Sequence, residues 1–251
     1  MIGIVGGVGP YAGLDLMKKV FDNTLARADQ DHLDVVMLSM PGSIADRTEF
    51  LEGRVEKNPG LAIAGILKRL EDAGVSYAGI PCNTAHAPGI FSVVERELLA
   101  MGSSISLVNM IDETLCFIEE HFQDIEKVGV LSTTGEYRVG LYEKALLSTR
   151  RTVIKPDPQM QEELIHPAIY DSGFGIKTFT SPIRSRARDN LNKGFAFLKE
   201  GGAELVILGC TEIPLAFPER QIMGMKVLDP TQVLARALIR AVSPEKLKDY
   251  E

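Results

Sequence analysis

Apolar positions along this chain follow two alternating periods. Short apolar runs at residues 2–5, 34–39, 77–80, 105–108, 127–131, 152–154, 205–208 and 226–228 read as strands. Between them, apolar residues recur every three or four positions, as on one face of a helix. Such faces are Leu14, Met17, Phe21 and Leu25; Ile63, Leu67 and Leu70; and Ile111, Leu115, Ile118 and Phe122. Val139, Tyr142 and Leu146 form another, as do Ala187, Leu191, Phe195 and Leu198. Residues 161–170 predict a helix bent or broken near Pro167, and residues 171–180 a loop. Asp229 and Pro230 look like the cap and first-turn proline of a last helix over 231–241, expected to pack back on the first half. Cys116 lies within an apolar helical pattern and reads as core.

The pattern repeats. A helix end at Gly74, a buried run and Cys82 are matched by Gly202, a buried run and Cys210, both at an offset of 128. The run from Ile2 to Gly9 is matched by Val128 to Gly135 at nearly the same offset, 129 − 3 = 126. Strands alternating with amphipathic helices imply parallel sheets covered on both faces. The expected fold is therefore α/β, with two pseudo-symmetric half-domains, each a parallel four-stranded sheet flanked by helices. Residues 1–111 with 229–251 would form the first half and 112–228 the second. In open parallel sheets, ligands bind beyond the carboxyl ends of the strands. Gly6 to Gly9, Arg47, Cys82-Asn83-Thr84, Ser132-Thr133-Thr134 and Cys210-Thr211 all follow strand ends. An active cleft between the halves, with a cysteine on each wall, is expected.

Composition narrows the chemistry. The 251 residues carry a net charge of −7, which argues against a nucleic-acid footprint. Three cysteines, an odd number, fit free thiols in a reducing compartment better than a disulfide framework. No apolar run is long enough to span a membrane. Met1 leads directly into a strand without a basic leader, so a cytoplasmic location is expected. His86 stands four residues after Cys82, but without a further Cys/His cluster no metal is expected. The glycines at 6, 7 and 9 do not complete a dinucleotide fingerprint, since Asp31 and Asp34 precede the second strand instead of closing it.

Taken together, Gly6-Gly7-Val8-Gly9-Pro10, Asp46-Arg47-Thr48, Cys82-Asn83-Thr84-Ala85-His86 and Leu208-Gly209-Cys210-Thr211-Glu212 resemble the aspartate/glutamate racemase family, in its aspartate racemase branch. Tyr170-Asp171 and Phe174-Gly175-Ile176-Lys177 resemble a further segment of that family, and the resemblance covers essentially the whole chain. It implies a cofactor-independent amino-acid racemase, usually a homodimer, acting on a small acidic amino acid, aspartate first. Cys82 and Cys210 would be acid and base, and Arg47 would hold a substrate carboxylate. Asn83, Thr84, Thr133, Thr134 and Thr211 would orient the α-carboxylate and amine, with Gly9, Tyr170 and Lys177 also at the substrate. The chain departs from the family's pattern at Val8, where methionine is usual, and at Tyr11-Ala12-Gly13, which lacks a frequent threonine. Glutamate, a broader amino-acid range, or a non-catalytic dicarboxylate-binding module remain the alternatives.

The chemistry agrees with the resemblance. Racemisation removes a proton from one face of Cα and delivers one to the other, so two groups in opposite protonation states serve both directions. The thiolate is the active base, and a helix N-terminus after each strand would favour it.

Overall fold

Short β-rich runs punctuated by glycine, proline and asparagine build β/α units in chain order. The computed structural model describes residues 1–250. It divides into two compact units, Met1–Thr114 together with the chain from Thr231 onward, and Leu115–Pro230.

In the first unit, β1 (Ile2–Gly6) leads through a glycine turn into α1 (Pro10–Asp22), followed by β2 (Val35–Ser39), α2 (Arg47–Leu51) and α3 (Pro59–Asp72). Then come β3 (Tyr77–Gly79), α4 (Pro88–Ala100), β4 (Ser106–Val108) and α5 (Met110–His121), which runs into the second unit. The sheet order is β2-β1-β3-β4, all parallel. One face buries Ile63, Leu67 and Leu70 of α3 with Ile90 and Val94 of α4. The opposite face buries Leu16 and Val20 of α1 against Ile2 and Ile4.

The buried face of α1 differs from the expected one. Ala12, Gly13, Leu16 and Val20 are buried, whereas Leu14 is exposed and Leu25 lies exposed beyond the helix. The cause is close helix–sheet approach. A Cβ on Gly13 would lie 2.9 Å from the Met37 sulfur and 3.3 Å from the Gly6 Cα, so the contact selects small residues that a count of large apolar ones overlooks.

The second unit repeats the order. It contains β5 (Lys127–Ser132), α6 (Thr134–Val139), α7 (Leu141–Leu146), β6 (Thr152–Ile154), α8 (Pro158–Met160), a π-helical turn at Gln161–Ile165, and α9 (His166–Tyr170). After a loop follow α10 (Ser185–Glu200), β7 (Leu205–Gly209), α11 (Ile213–Ala216), β8 (Gln221–Ile222) and β9 (Met225–Leu228). The order β6-β5-β7-β9 matches β2-β1-β3-β4 strand for strand. The expected four strands are, however, five. β8 adds an antiparallel edge to β9 through a turn at Met223 and Gly224, both at positive φ. The two residues of β8 carry no readable periodicity, so the pattern found β9 but missed the hairpin. Three further expectations are corrected here. The helix over Val139 to Leu146 is two helices, separated by Gly140 in the left-handed region. The break in the 161–170 helix is a π turn that ends just before Pro167. Cys116 is exposed on α5, not core.

The last helix, α12 (Pro230–Val242), belongs to the first unit. Its Leu234, Ala235, Leu238 and Ile239 are buried with Ile2, Ile4 and Leu16. Among the described residues, no helix is long and apolar enough to cross a membrane.

Candidate active site

In both units a group of buried polar residues lies just past the carboxyl ends of the strands. After β1 the chain turns at Gly7, φ 86°, where a Cβ would sit 2.7 Å from the Pro41 nitrogen and 2.8 Å from the Met40 nitrogen. Gly9 then caps α1, with Pro10 in the first turn. After β2, the Asp46 carboxylate caps α2 by accepting from the Thr48 and Glu49 amides at 2.8 and 3.0 Å. That cap fixes Arg47 at the first helical position. Its guanidinium is buried and donates to the Val8 carbonyl at 2.8 Å, which ties it to the glycine turn. α2 in turn packs on the turn Asn83–His86 that follows β3.

Cys82 opens that turn and is buried in one cluster with Val8, Ile44 and Ala85. Asn83 and Thr84 are buried beside it. His86 supports the turn. The Met110 amide donates to Nε2 at 3.3 Å, so the proton sits on Nδ1, which donates to the Cys82 carbonyl at 2.9 Å. Burial lowers the His86 pKa to about 4, keeping the ring neutral. The first unit thus brings together Arg47, the turn at Gly9, Cys82, Asn83 and Thr84.

The second unit builds a longer polar chain. Thr133 caps α6 by accepting from the Glu136 amide at 3.3 Å. The Thr134 hydroxyl pairs with His166 Nδ1 at 2.8 Å, and Gln161 Nε2 donates to the Thr134 hydroxyl and the Ser132 carbonyl, each at 3.3 Å. His166 stacks on Tyr170 with ring centroids 4.9 Å apart, and Lys177 Nζ lies 5.4 Å from the Tyr170 centroid. Lys177 pairs with Glu212 at 3.3 Å, and the Glu212 carboxylate accepts from the Cys210 thiol at 3.2 Å and the Thr211 hydroxyl at 3.4 Å. Thr134, Tyr170, Lys177, Cys210 and Thr211, singled out from sequence, are therefore linked in one chain of contacts.

The sequence argument missed Glu212 and Gln161. Glu212 had a visible signal, two residues past the echoed cysteine. Gln161 had none, because a π turn and not a motif aims it at Thr134. The expected helix-dipole assistance to the thiolate is also corrected for Cys210. Burial, and then the Glu212 carboxylate, push this thiol well above its ordinary value. The following helix α11 has four residues, too few to offset them. A second buried acid stands nearby: burial raises the Glu136 pKa to about 7. Among the described residues, no group of three or more His, Cys, Asp or Glu could hold a metal ion.

The solved aspartate racemase of Picrophilus torridus is similar to this chain, with a TM-score of 0.78 and 27% identity, covering 96% of this chain and 93% of that one. An aspartate racemase homologue from Pyrococcus horikoshii OT3 shares the fold, with a TM-score of 0.70 and 24% identity over 96% and 98% of the two chains. The broad specificity amino-acid racemase RacX of Bacillus subtilis (strain 168) is 28% identical over 165 residues, 64% of this chain and just under two thirds, 66%, of that protein. Residues 5–238 match the Asp/Glu/hydantoin racemase family, and the chain belongs to that family.

Proposed function

We propose that this protein interconverts the enantiomers of an acidic amino acid, aspartate first, without a cofactor, using Cys82 and Cys210 as acid and base. The observation that carries the reading is the pair of buried cysteines, each just past the end of an equivalent strand, β3 in one sheet and β7 in the other. The acidity of an amino-acid Cα–H is low, so the reaction needs a positioned base and groups that take up charge developing on the carboxylate. One thiolate removes the proton from one face, the other thiol delivers one to the opposite face, and the roles reverse for the other enantiomer. Arg47 and Lys177 are the cations assigned to the substrate carboxylates. Asn83, Thr84, Thr133, Thr134 and Thr211, with Gly9 and Tyr170, are assigned to orienting the α-carboxylate and ammonium. The broad-specificity relative favours a second reading, a racemase with a wider amino-acid range. We further propose a homodimer in the cytoplasm, where three free thiols suit a reducing environment.

The test uses L- and D-aspartate in deuterated buffer without added cofactor, following chirality and α-deuterium uptake separately. Wild type should racemise both enantiomers. Cys82→Ser and Cys210→Ser should each lower racemisation by about 10²-fold or more, the range for removing a general acid or base. Either variant racemising at the wild-type rate rejects the two-thiol mechanism. Faster turnover of glutamate or of neutral amino acids selects an alternative substrate, and no deuterium uptake at all indicates a binding module.

A further inference from the structure

Cys210 cannot act as a base until its own proton has left, and the thiol is 2% exposed. The group in place to take it is Glu212, itself 3% exposed. The two carboxylate oxygens are divided between partners. Oε2 faces the Cys210 sulfur at 3.2 Å and the Thr211 hydroxyl at 3.4 Å. Oε1 faces Lys177 Nζ at 3.3 Å. Lys177 reaches this position from the loop after α9, and its ammonium also lies over the Tyr170 ring. Glu212 and Lys177 are the charged groups acting on Cys210.

We propose that Glu212 is a catalytic proton carrier for Cys210, and that Lys177 governs when the transfer occurs. This rests on the racemase reading above. The Cys210 S–H bond breaks as an O–H bond forms on Glu212 Oε2. The thiolate then takes the α-proton, forming a new S–H bond while the C–H electron pair stays on the substrate, and Cys82 gives its proton to the opposite face. The cycle closes when Glu212 releases its proton to water and Cys82 takes one from water. No electrons are exchanged with a co-reactant.

Lys177 makes the transfer conditional. While Lys177 donates to Glu212 Oε1 at 3.3 Å, that ammonium competes with the thiol proton for the carboxylate. A side-chain carboxylate on the substrate competes for the same ammonium. Once Lys177 turns toward it, Oε1 loses that donor and Oε2 takes the thiol proton. An acidic substrate therefore arms the thiol that will attack it, and a neutral amino acid leaves Glu212 held. Discrimination of this kind falls on kcat as well as on KM.

The experiment compares wild type, Glu212→Gln and Glu212→Asp, each as the full chain, with far-ultraviolet circular dichroism and melting to confirm folding. Racemisation and α-deuterium uptake are measured with L- and D-aspartate. The Cys210 thiolate is titrated by its ultraviolet absorbance, taken as the difference from the matching chain carrying Cys210→Ser. In Glu212→Gln, kcat should fall by about 10²-fold or more with little change in KM. The Cys210 thiolate should meanwhile form at lower pH, because the neighbouring negative charge is gone. A more easily formed thiolate with slower turnover is a combination that a merely structural role does not produce. Glu212→Asp should recover part of the rate. A Glu212→Gln enzyme with wild-type or faster kcat overturns the inference, because Glu212 would then only repel the thiolate. If the Gln variant does not fold, Glu212→Asp decides, and an unaltered kcat in it overturns the inference as well. A Gln variant as fast as an active wild type sinks this inference alone, whereas a wild type that racemises neither aspartate, glutamate nor neutral amino acids sinks the racemase reading with it.

Discussion

Glu136 shows how one buried side chain couples the second unit to pH. Its carboxyl is 1% exposed, with the Tyr142 amide 3.4 Å away and the Ser132 side chain also bonded to it. Glu143 and Lys155 are the charged groups acting on it, in opposite senses, and burial outweighs both. A folded pKa of about 7 against an ordinary 4.5 means that the folded state holds a proton the unfolded chain has released between these values. The contribution is most favourable below the unfolded pKa and is lost as pH rises through about 7. At 1.36 kcal/mol per unit, the difference is about 3 kcal/mol. Relative to Glu136→Gln, wild type should lose about that much stability between pH 4.5 and pH 8 in urea unfolding. Parallel pH profiles for the two would show that the carboxyl is not held protonated. Nothing in the sequence announces this residue. Its side chain turns inward toward the start of α7, a choice made by packing. Cys82, Cys210 and Arg47 were legible because their contexts repeat or match a motif, whereas exposure, as at Cys116, depends on which helix face meets a neighbour.

At the level of elements, the turns carry as much of the site as the strands do. Gly7 and Gly140 both have positive φ, which costs an L-residue about 1–2 kcal/mol. Their surroundings differ. A Cβ on Gly140 meets the flexible end of Glu143, so Gly140→Ala should cost about that amount alone. A Cβ on Gly7 meets the backbone of Met40 and Pro41, which cannot swing aside. Gly7→Ala should therefore cost distinctly more, and on the proposed function it should raise KM for aspartate by displacing the Val8 carbonyl that anchors Arg47. Urea unfolding of both variants and steady-state kinetics check this, and equal costs would mean that the turn yields. Strands of three to six residues flanked by turn formers were readable, because a buried parallel strand is a nearly continuous apolar run. The β8–β9 hairpin was not, and neither was the α1 face set by Ala12 and Gly13, because tertiary approach and not local hydrophobicity decides them.

Across the whole molecule, α12 completes a sheet layer begun more than two hundred residues earlier. Leu238 is fully buried and shares a cluster with Ile2, Ile4 and Leu16. Leu238→Ala should cost about 2–5 kcal/mol, the range for emptying a buried leucine site. The loss should fall on the first unit, so limited proteolysis of the variant should open residues 1–114 before 115–230. Simultaneous cleavage in both would mean that they unfold together. This nested arrangement also bears on synthesis. Domains tend to fold in the order in which they leave the ribosome, but here the order inverts. The inner segment, Leu115–Pro230, is whole once residue 230 has emerged, while the sheet begun at Ile2 still lacks its covering helix. The part translated first is the part that finishes last, and until then that side of β1 has α1 against it but not α12.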